Sequence, residues 1–289
     1  MSKKSLNLYY YIYPNIGDIL NEFLINKLFH IDTSYENYCT AEMMAIGSIF
    51  DRLLEDFKVN AKEKELRKHA DQLNPIHIWG TGMIKYYENP AKLIRPIKVH
   101  ALRGRLSKEQ LERAAGQKYS CVLADPGLLA PLLLKDIPNK KYDVGIIPHY
   151  VDADSEVFQK MKKEYSNSII INVKDEPMKV LETIASCKLI ISTSLHGLII
   201  ADSFGIPNIW CESSDKIIGE GFKYRDYYSS FDLTAEPFDL RKGEIPSLSM
   251  IRTNYQVSFS AVKKKQKQLI KCFPYKNKSV WKTYFRLWR

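Results

Sequence analysis

The amino-acid sequence predicts an α/β protein with two Rossmann-like domains facing each other across a cleft. Short apolar segments rich in strand-forming residues alternate with amphipathic segments along most of the chain. This alternation is typical of parallel sheets whose strands are joined by right-handed helical crossovers. A length of 289 residues suits two domains of ordinary size. The composition, with 45% apolar and 26% charged residues, is typical of a globular protein.

The N-terminal half begins with an aromatic and apolar strand that stops at a Pro-Asn-Ile-Gly-Asp loop before an amphipathic helix. A capping-box spacing between Ser107 and Gln110 and a glycine at position 116 predict the start and end of a later helix. The predicted elements are strand 6–13, helix 19–29, a long charged surface helix over 51–72, strand 75–79, strand 98–102, a helix ending at 116, and strand 119–124.

The polar, proline-containing stretch 135–141 is the best candidate for a linker between the domains. It divides the chain into an N-terminal domain over 1–137, a C-terminal domain over 138–245, and a helix with a basic-aromatic tail over 246–289. The predicted elements of the second domain are strand 142–147, helix 155–165, strand 168–173, helix 177–187, strand 188–192, helix 196–204 and strand 207–211.

A net charge of +10 favours acidic partners, which include phosphorylated metabolites, nucleic acid and an anionic membrane surface. Nucleic acid ranks low because the positive excess lies in helices and the tail without a recognisable binding motif. The N-terminus lacks a secretory signal and no apolar run approaches the roughly 20 residues of a membrane-spanning helix, so we expect a cytoplasmic protein. Five scattered cysteines without a CxxC spacing argue against a disulfide framework and a zinc site.

The C-terminal segment combines lysines with aromatic residues. Between residues 255 and 273, apolar residues share one face of a helix that either packs over the N-terminal domain with a solvated lysine face or contacts a membrane. The last nine residues alternate aromatic and basic side chains, which suits a lipid headgroup region. Its aromatic residues are Trp281, Tyr284, Phe285 and Trp288, and its basic residues are Lys282, Arg286 and Arg289.

Several loops at predicted strand ends carry polar residues that could bind an anion. His196 follows Ser194 at the start of a helix, where free amide groups and the helix dipole favour a phosphate or carboxylate. Arg103 and Arg105 follow a strand, and a guanidinium in a cleft can hold either group at two points. The structural alternative for Ser194 and His196 is a helix-capping serine followed by a buried histidine. The alternative for Arg103 and Arg105 is a solvated turn, and for Arg105 the binding role and the solvated turn are equally supported.

Asn15, Gly17 and Asp18 lie between the first strand and the first helix, a position suited to backbone approach to a ligand and to proton transfer. Asp18 could equally cap the helix. His149 follows the first strand of the second domain and would face the same cleft, with a plain loop histidine as its alternative. No phosphate loop, dinucleotide fingerprint or metal-binding motif is present in the sequence.

The order of these loops resembles the polysaccharide pyruvyl transferase family over residues 9–228. Each motif is weak by itself, and their order and spacing together are more specific. The matching motifs are Asn15-Ile16-Gly17-Asp18, Ile46-Gly47-Ser48-Ile49, Trp79-Gly80-Thr81-Gly82, Arg103-Gly104-Arg105-Leu106-Ser107, Asp125-Pro126-Gly127-Leu128-Leu129, Ile147-Pro148-His149-Tyr150, Ser194-Leu195-His196-Gly197 and Phe204-Gly205-Ile206-Pro207.

The resemblance implies a GT-B-like arrangement of the domains and transfer of the enolpyruvyl unit of phosphoenolpyruvate to a sugar, giving a pyruvate ketal. His196 and Arg103 resemble the residues that hold the donor, with Asn15, Gly17, Arg105, His149, Ser194 and Gly197 as further substrate-binding candidates. Asp18 lies in the loop that supplies an acidic group, although Glu22 or another residue stays open as the acid. Ser194 stands where the family often has arginine.

This resemblance also implies that no metal or organic cofactor is needed. The acceptor sugar is expected on a lipid diphosphate at the inner membrane face, which would suit peripheral membrane contact by the tail. Two other functions remain open from the sequence. One is a GT-B glycosyltransferase that uses a nucleotide sugar, and the other is a non-catalytic module that binds a phosphorylated metabolite.

Overall fold

The computed structural model describes residues 5–275 and 278–288, and this part of the chain forms two parallel β-sheets flanked by helices. The strands of the first sheet are β1 (Ser5–Tyr9), β2 (Asp32–Tyr35), β3 (Met43–Met44), β4 (Ile76–Trp79), β5 (Ile97–Leu102) and β6 (Val122–Leu123). The strands of the second sheet are β7 (Tyr142–Ile147), β8 (Ser168–Ile170), β9 (Cys187–Ser192), β10 (Asn208–Glu212) and β11 (Phe238–Asp239).

Helices connect the strands and follow the second sheet. They are α1 (Ile16–Phe29), α2 (Ala61–Arg67), α3 (Arg105–Ala115), α4 (Glu156–Glu164), α5 (Pro177–Ala185), α6 (Leu195–Ser203), α7 (Phe222–Ser229), α8 (Leu248–Asn254), α9 (Phe259–Cys272) and α10 (Ser279–Leu287). Short 3₁₀ helices occupy Phe50–Leu53, Ala70–Gln72, Pro126–Leu133 and Leu240–Lys242. No helix of the described residues is long and apolar enough to cross a membrane.

The two sheets share one strand order when the second is read in reverse, and the first sheet has one strand more. The first runs β2-β1-β3-β4-β5-β6 and the second β11-β10-β9-β7-β8, with parallel pairing throughout. In each sheet the chain reverses the direction in which it adds strands, between β1 and β3 in the first and between β7 and β9 in the second. Open parallel sheets bind ligands beyond the carboxyl ends of the strands at such a reversal point. The sequence-based prediction of an α/β protein with two parallel sheets is confirmed.

One continuous core joins the two halves, since buried apolar residues of both sheets and of the C-terminal helices contact one another. Helix α9 packs over the first sheet: Trp79 Nε1 donates a hydrogen bond to the Leu269 carbonyl at 3.2 Å, and Phe273 stacks on Phe29 with ring centroids 3.8 Å apart. The interpretation of this segment as a helix packed on the N-terminal half is therefore confirmed for Phe259–Cys272, whereas residues 255–258 are not helical. Lys264 and Lys267 of this helix are exposed, whereas Lys265 is half-buried and donates to the Leu123 carbonyl.

Several predicted elements lie where the sequence indicated, with small shifts at their ends. β4, β5, β7 and β9 agree closely with the predicted strands, and Gly116 ends α3 with a φ of 64°. The predicted strand 6–13 is too long, because residues 10–15 leave the sheet as a loop. The divisions of the chain at 137/138 and 245/246 stay predictions.

The predicted helix over 51–72 is wrong. Residues 54–59 form a loop between a 3₁₀ turn and α2, which begins with a capping box between Asn60 and Glu63. The Arg67 guanidinium donates hydrogen bonds to the carbonyls of Arg52, Leu54, Glu55 and Phe57 and so satisfies backbone groups that a helix would have paired internally. The pattern of charged residues along the chain could not predict these contacts of Arg67, because they depend on the tertiary structure.

The predicted helix start at Ser107 is also wrong, since α3 begins at Arg105 after Gly104. Ser107 Oγ instead accepts a hydrogen bond from Met83 N and donates one to Asp226 at 2.6 Å. Gln110 accepts a hydrogen bond from Tyr87 N. Both side chains tie the helix to other segments rather than capping it.

The tail divides into a packed and an exposed side. Val280 and Tyr284 of α10 are buried, whereas Phe285 is 54% exposed. Arg286 donates to the Leu134 carbonyl, which fixes the helix to the N-terminal half. Arg289, part of the predicted membrane-contacting tail, and residues 1–4 lie outside the described residues.

Candidate active site

A cavity of about 690 Å³ lies where the carboxyl ends of the two sheets face each other. Its walls include residues from the loops after β1, β3, β7 and β9, which are the strands at the two reversal points. The β1–α1 loop is anchored to the second half because Ile16 N donates to the Val173 carbonyl at 2.8 Å. The fold therefore brings polar residues from both sheets to one enclosed space.

Asp18 lines this cavity from the first turn of α1. Asn15 caps the helix by accepting from Gly17 N and Asp18 N, and its side-chain amide donates to the Asp18 carboxylate. Asp18 is thus not the helix cap. Burial raises the pKa of its carboxyl to about 7, against the smaller opposing effects of the Asn15 hydrogen bond and the Lys223 charge. At neutral pH a substantial fraction of Asp18 carries a proton that it can donate.

Lys223 extends from α7 of the second half to the cavity wall. Burial, followed by the positive charge of Arg103, lowers the pKa of its amine to about 8, and the Asp18 charge acts in the opposite direction. The amine is still mostly protonated at neutral pH. Because it is held partly out of water, it would interact strongly with an anionic ligand.

His196, at the start of α6, lines the cavity and lies against Gly17 of α1. A Cβ atom added at Gly17 would lie 2.1 Å from His196 Nδ1, so this contact requires glycine. Burial, then the charges of Arg103 and Lys223, lowers the pKa of His196 to about 3. The imidazole is therefore neutral at pH 7 and can exchange hydrogen bonds with a ligand.

Asp125 lies behind His196. Its Oδ1 accepts from Gly127 N at 2.8 Å, and its Oδ2 lies 3.9 Å from His196 Nε2. Among the described residues neither Asp125 Oδ2 nor His196 Nε2 has a hydrogen-bond partner, although both are buried. Burial raises the pKa of Asp125 to about 7. A small movement of the ring would let the carboxylate accept from Nε2–H and fix the tautomer of His196.

The N-terminus of α6 opens into the cavity through Ser194, Leu195 and His196. Ser194 occupies the cap position but makes no side-chain hydrogen bond to the helix amides. The first-turn N–H groups of a helix favour a negative charge. His149 lines the same wall; burial and then Lys223 lower the pKa of His149 to about 3.

Arg103 does not reach the cavity wall. Its side chain is fully buried and donates to Asp226 at 2.8 Å, to Ser48 Oγ at 2.6 Å and to the Met83 carbonyl at 2.5 Å. The prediction that Arg103 holds the donor stays a prediction. In this structure its guanidinium joins the first half to α7 and supports Ser48, which does line the cavity. A buried guanidinium paired with a carboxylate leaves no uncompensated charge.

Comparison with known proteins gives the family. The family model described as polysaccharide pyruvyl transferase matches residues 66–215, which is more than half of the chain. The chain belongs to the polysaccharide pyruvyl transferase family. The matched residues include Arg103, Asp125, His149 and His196, whereas Asp18 and Lys223 lie outside them.

Two curated proteins and one solved structure are similar to this pyruvyl transferase family member. An uncharacterised protein of Acanthamoeba polyphaga mimivirus is 27% identical over 82% of this chain and 78% of its own length. The succinoglycan biosynthesis protein ExoV of Rhizobium meliloti is 23% identical over 77% of this chain, and the match spans 63% of ExoV. A functionally uncharacterised Klebsiella pneumoniae protein of known structure is 11% identical, with a TM-score of 0.45 over 85% of this chain and 94% of its own.

Two residues predicted to bind substrate lie elsewhere in this family member. Arg105 is about half exposed and pairs with Asp232 outside the cavity. Gly197 packs tightly within the second half, since an added Cβ would lie 2.5 Å from Ser192 Oγ. Arg105 therefore belongs to the surface, and Gly197 allows α6 to approach β9.

Sequence reasoning missed Lys223, Asp125 and Asp51 as site residues. Asp51 lines the cavity and accepts from Ile84 N at 2.8 Å, and burial raises the pKa of Asp51 to about 6. Asp125 belongs to one of the motifs that resemble the family, so that motif could have indicated Asp125 as a site residue. Lys223 had no signal of its own, because it follows a segment with no strand or helix pattern. Among the described residues no group of three or more His, Cys, Asp and Glu side chains could hold a metal ion.

Proposed function

We propose that this chain transfers the enolpyruvyl group of phosphoenolpyruvate to hydroxyls of a sugar and closes a pyruvate ketal during surface polysaccharide biosynthesis. The main support is one cavity that combines a proton donor, Asp18, with a cation, Lys223, and the uncapped start of α6. Family membership supports pyruvyl transfer to polysaccharide, and the similarity to a succinoglycan biosynthesis protein agrees with a surface glycan as the product.

The donor carries a phosphate and a carboxylate, and the cavity offers complementary groups for both. Lys223 supplies a positive charge, and the first-turn amides of α6 supply hydrogen-bond donors. His196 and His149, both neutral, can donate or accept a hydrogen bond without adding charge. Arg103 acts as a positioning residue for this wall through Ser48 and through Asp226 of α7.

Asp18 is the acid in this mechanism. It gives its proton to the methylene carbon of phosphoenolpyruvate while the oxygen of the first acceptor hydroxyl bonds to the adjacent carbon, and the hydroxyl proton restores the Asp18 carboxyl. Phosphate then leaves with the electron pair of the carbon–oxygen bond to give an oxocarbenium ion, the second hydroxyl adds to the same carbon, and the departed phosphate takes up that hydroxyl's proton. A positioned acid with a pKa near the operating pH is efficient in such a transfer.

A GT-B-like arrangement of the two halves is part of this proposal. Its support is the pair of parallel sheets whose reversal points border one cavity. In this interpretation the first half holds the acceptor side and the second half holds the donor side. No metal or organic cofactor takes part in the proposed steps.

Peripheral contact with the inner face of a membrane is also proposed, because a lipid-diphosphate-linked acceptor would be presented there. Phe285 of α10 is 54% exposed, and Trp281 stacks on it with centroids 5.9 Å apart. Lys282 and Arg286 lie on the same short helix. Sedimentation with phosphatidylglycerol vesicles tests this contact: we expect binding that Phe285→Ser weakens, and equal binding by both proteins would contradict it.

The function is tested by measuring phosphate release from phosphoenolpyruvate with lipid-linked or free glycosides as acceptors. We expect acceptor-dependent release that is lost in Asp18→Asn and retained in Glu22→Gln, because Glu22 does not line the cavity but contacts Tyr10. Loss in Glu22→Gln and retention in Asp18→Asn would move the acid to Glu22. No release with any acceptor, together with binding of nucleotide sugars, would favour a glycosyltransferase instead.

A further inference from the structure

An aromatic cluster at the mouth of the cavity has no part in the chemistry described above. It consists of Tyr11 and Tyr13 from the β1–α1 loop, Tyr150 from the loop after β7, and Lys174. The Tyr11 and Tyr13 rings stack with centroids 6.3 Å apart, and the Tyr13 and Tyr150 rings lie 4.6 Å apart. Two loops from different halves thus build one aromatic surface.

The cluster reaches from the exterior to the catalytic wall. Tyr11 and Tyr150 both line the cavity, and Tyr11 is 47% exposed. His149, next along the wall, stacks on Tyr150 with centroids 4.4 Å apart. After burial, the neighbouring Tyr11 and Asp18 raise the pKa of the Tyr150 hydroxyl, which agrees with a position close to the Asp18 carboxyl.

The rings of the cluster differ in their roles. Tyr13 and Tyr150 join the two halves, and Lys174 Nζ lies over both rings at 5.2 and 5.7 Å from their centroids. Tyr11 adds a further ring that is 47% exposed and lines the cavity, so its face is accessible to a ligand there. The cavity of about 690 Å³ also has more room than a three-carbon donor needs.

We infer that this cluster is the acceptor subsite, in which the C–H face of a pyranose ring packs against Tyr11 and its hydroxyl group reaches Asp18 past Tyr150. This inference rests on the proposed function for its role and deepens it by naming the residues that bind the acceptor. A pyranose ring presents aliphatic C–H groups on its faces and hydroxyls at its edge, so an aromatic face and a nearby polar wall match the two sides of the same molecule.

The test is direct glycoside binding in the absence of phosphoenolpyruvate. The probes are methyl β-glucopyranoside, methyl β-galactopyranoside and methyl α-mannopyranoside, whose methyl groups avoid the stacking that a nitrophenyl group would add. Saturation-transfer NMR is expected to show contact with the ring C–H protons of at least one of them. Tyr11→Ala should raise its Kd about tenfold, and Tyr11→Phe should leave it unchanged because the ring face remains.

Tyr86→Ala is the matched control, since Tyr86 is 60% exposed and does not line the cavity. It should bind the glycoside like wild type. Equal affinity of wild type and Tyr11→Ala, or no saturation transfer to any of the three glycosides in wild type, would overturn the inference.

Phosphate release separates this inference from the proposed function. Glycoside binding that depends on Tyr11 without any release from phosphoenolpyruvate would keep the sugar subsite and reject the transferase. Release with an acceptor KM that Tyr11→Ala does not change would keep the transferase and reject the subsite. If the sugar subsite and the transferase function are both correct, Tyr11→Ala should raise the acceptor KM about tenfold with little effect on the KM for phosphoenolpyruvate.

Discussion

Replacing Gly17 by alanine tests the contact that joins the two halves at the site. The new Cβ would lie 2.1 Å from Nδ1 of His196 and 2.6 Å from its Cγ. Ordinary van der Waals separation is larger by about 1 Å or more, so the ring must retreat by about that distance. A 1 Å displacement of a catalytic group can lower a rate about 100-fold. We therefore expect kcat/KM for phosphate release to fall by about two orders of magnitude.

The same substitution should leave the fold largely intact. Alanine is favoured over glycine within a helix by about 1 kcal/mol, which offsets part of the cost of moving the ring. Thermal unfolding and the NMR signals of the His196 imidazole measure the two effects separately. Ile19→Ala, in the same helix turn but without an atom added near His196, is the control. Wild-type activity together with an unshifted imidazole signal in Gly17→Ala would refute the assigned contact.

Three further outcomes are expected. Activity should fall as pH rises above about 7, where Asp18 loses its proton. Because the pKa of Asp18 is raised in the folded state, the free energy of unfolding should also fall between about pH 4 and 7. Urea unfolding at several pH values should show a smaller fall in Asp18→Asn. Lys223→Ala should raise the KM for phosphoenolpyruvate more than the acceptor KM, with partial recovery in Lys223→Arg; equal effects on both constants would argue against a donor-binding amine. Asp226→Asn leaves the Arg103 charge uncompensated and should destabilise the fold by about 3–5 kcal/mol in urea titrations, and a loss under 1 kcal/mol would contradict the buried pair.

The sequence located the loops of the site because strand ends carry a local signal. Apolar segments followed by glycine, proline and polar residues indicate where parallel strands stop, and the carboxyl ends of such strands meet at one edge. Asn15, Asp18, Ser194, His149 and His196 were found in this way, and all of them line the cavity. The family resemblance depended on the same loops.

Local pattern could not reveal which of these side chains are accessible. Arg103 and Arg105 stand two residues apart, yet the first is fully buried against Asp226 and the second lies on the surface beside Asp232. Their partners are more than 100 positions away in the chain. The difference arises from how α7 packs against the first half, which no short segment specifies.

The sequence by itself therefore determined the alternation of strands and helices and the positions of the reversal-point loops. Only the tertiary structure decided that Asp18 and Lys223, from opposite halves, share one cavity and that His196 rests on Gly17. The physical reason is burial. The raised pKa of Asp18 and the lowered pKa of Lys223 come first from loss of solvent around each group, and solvent exposure depends on the packing of distant segments.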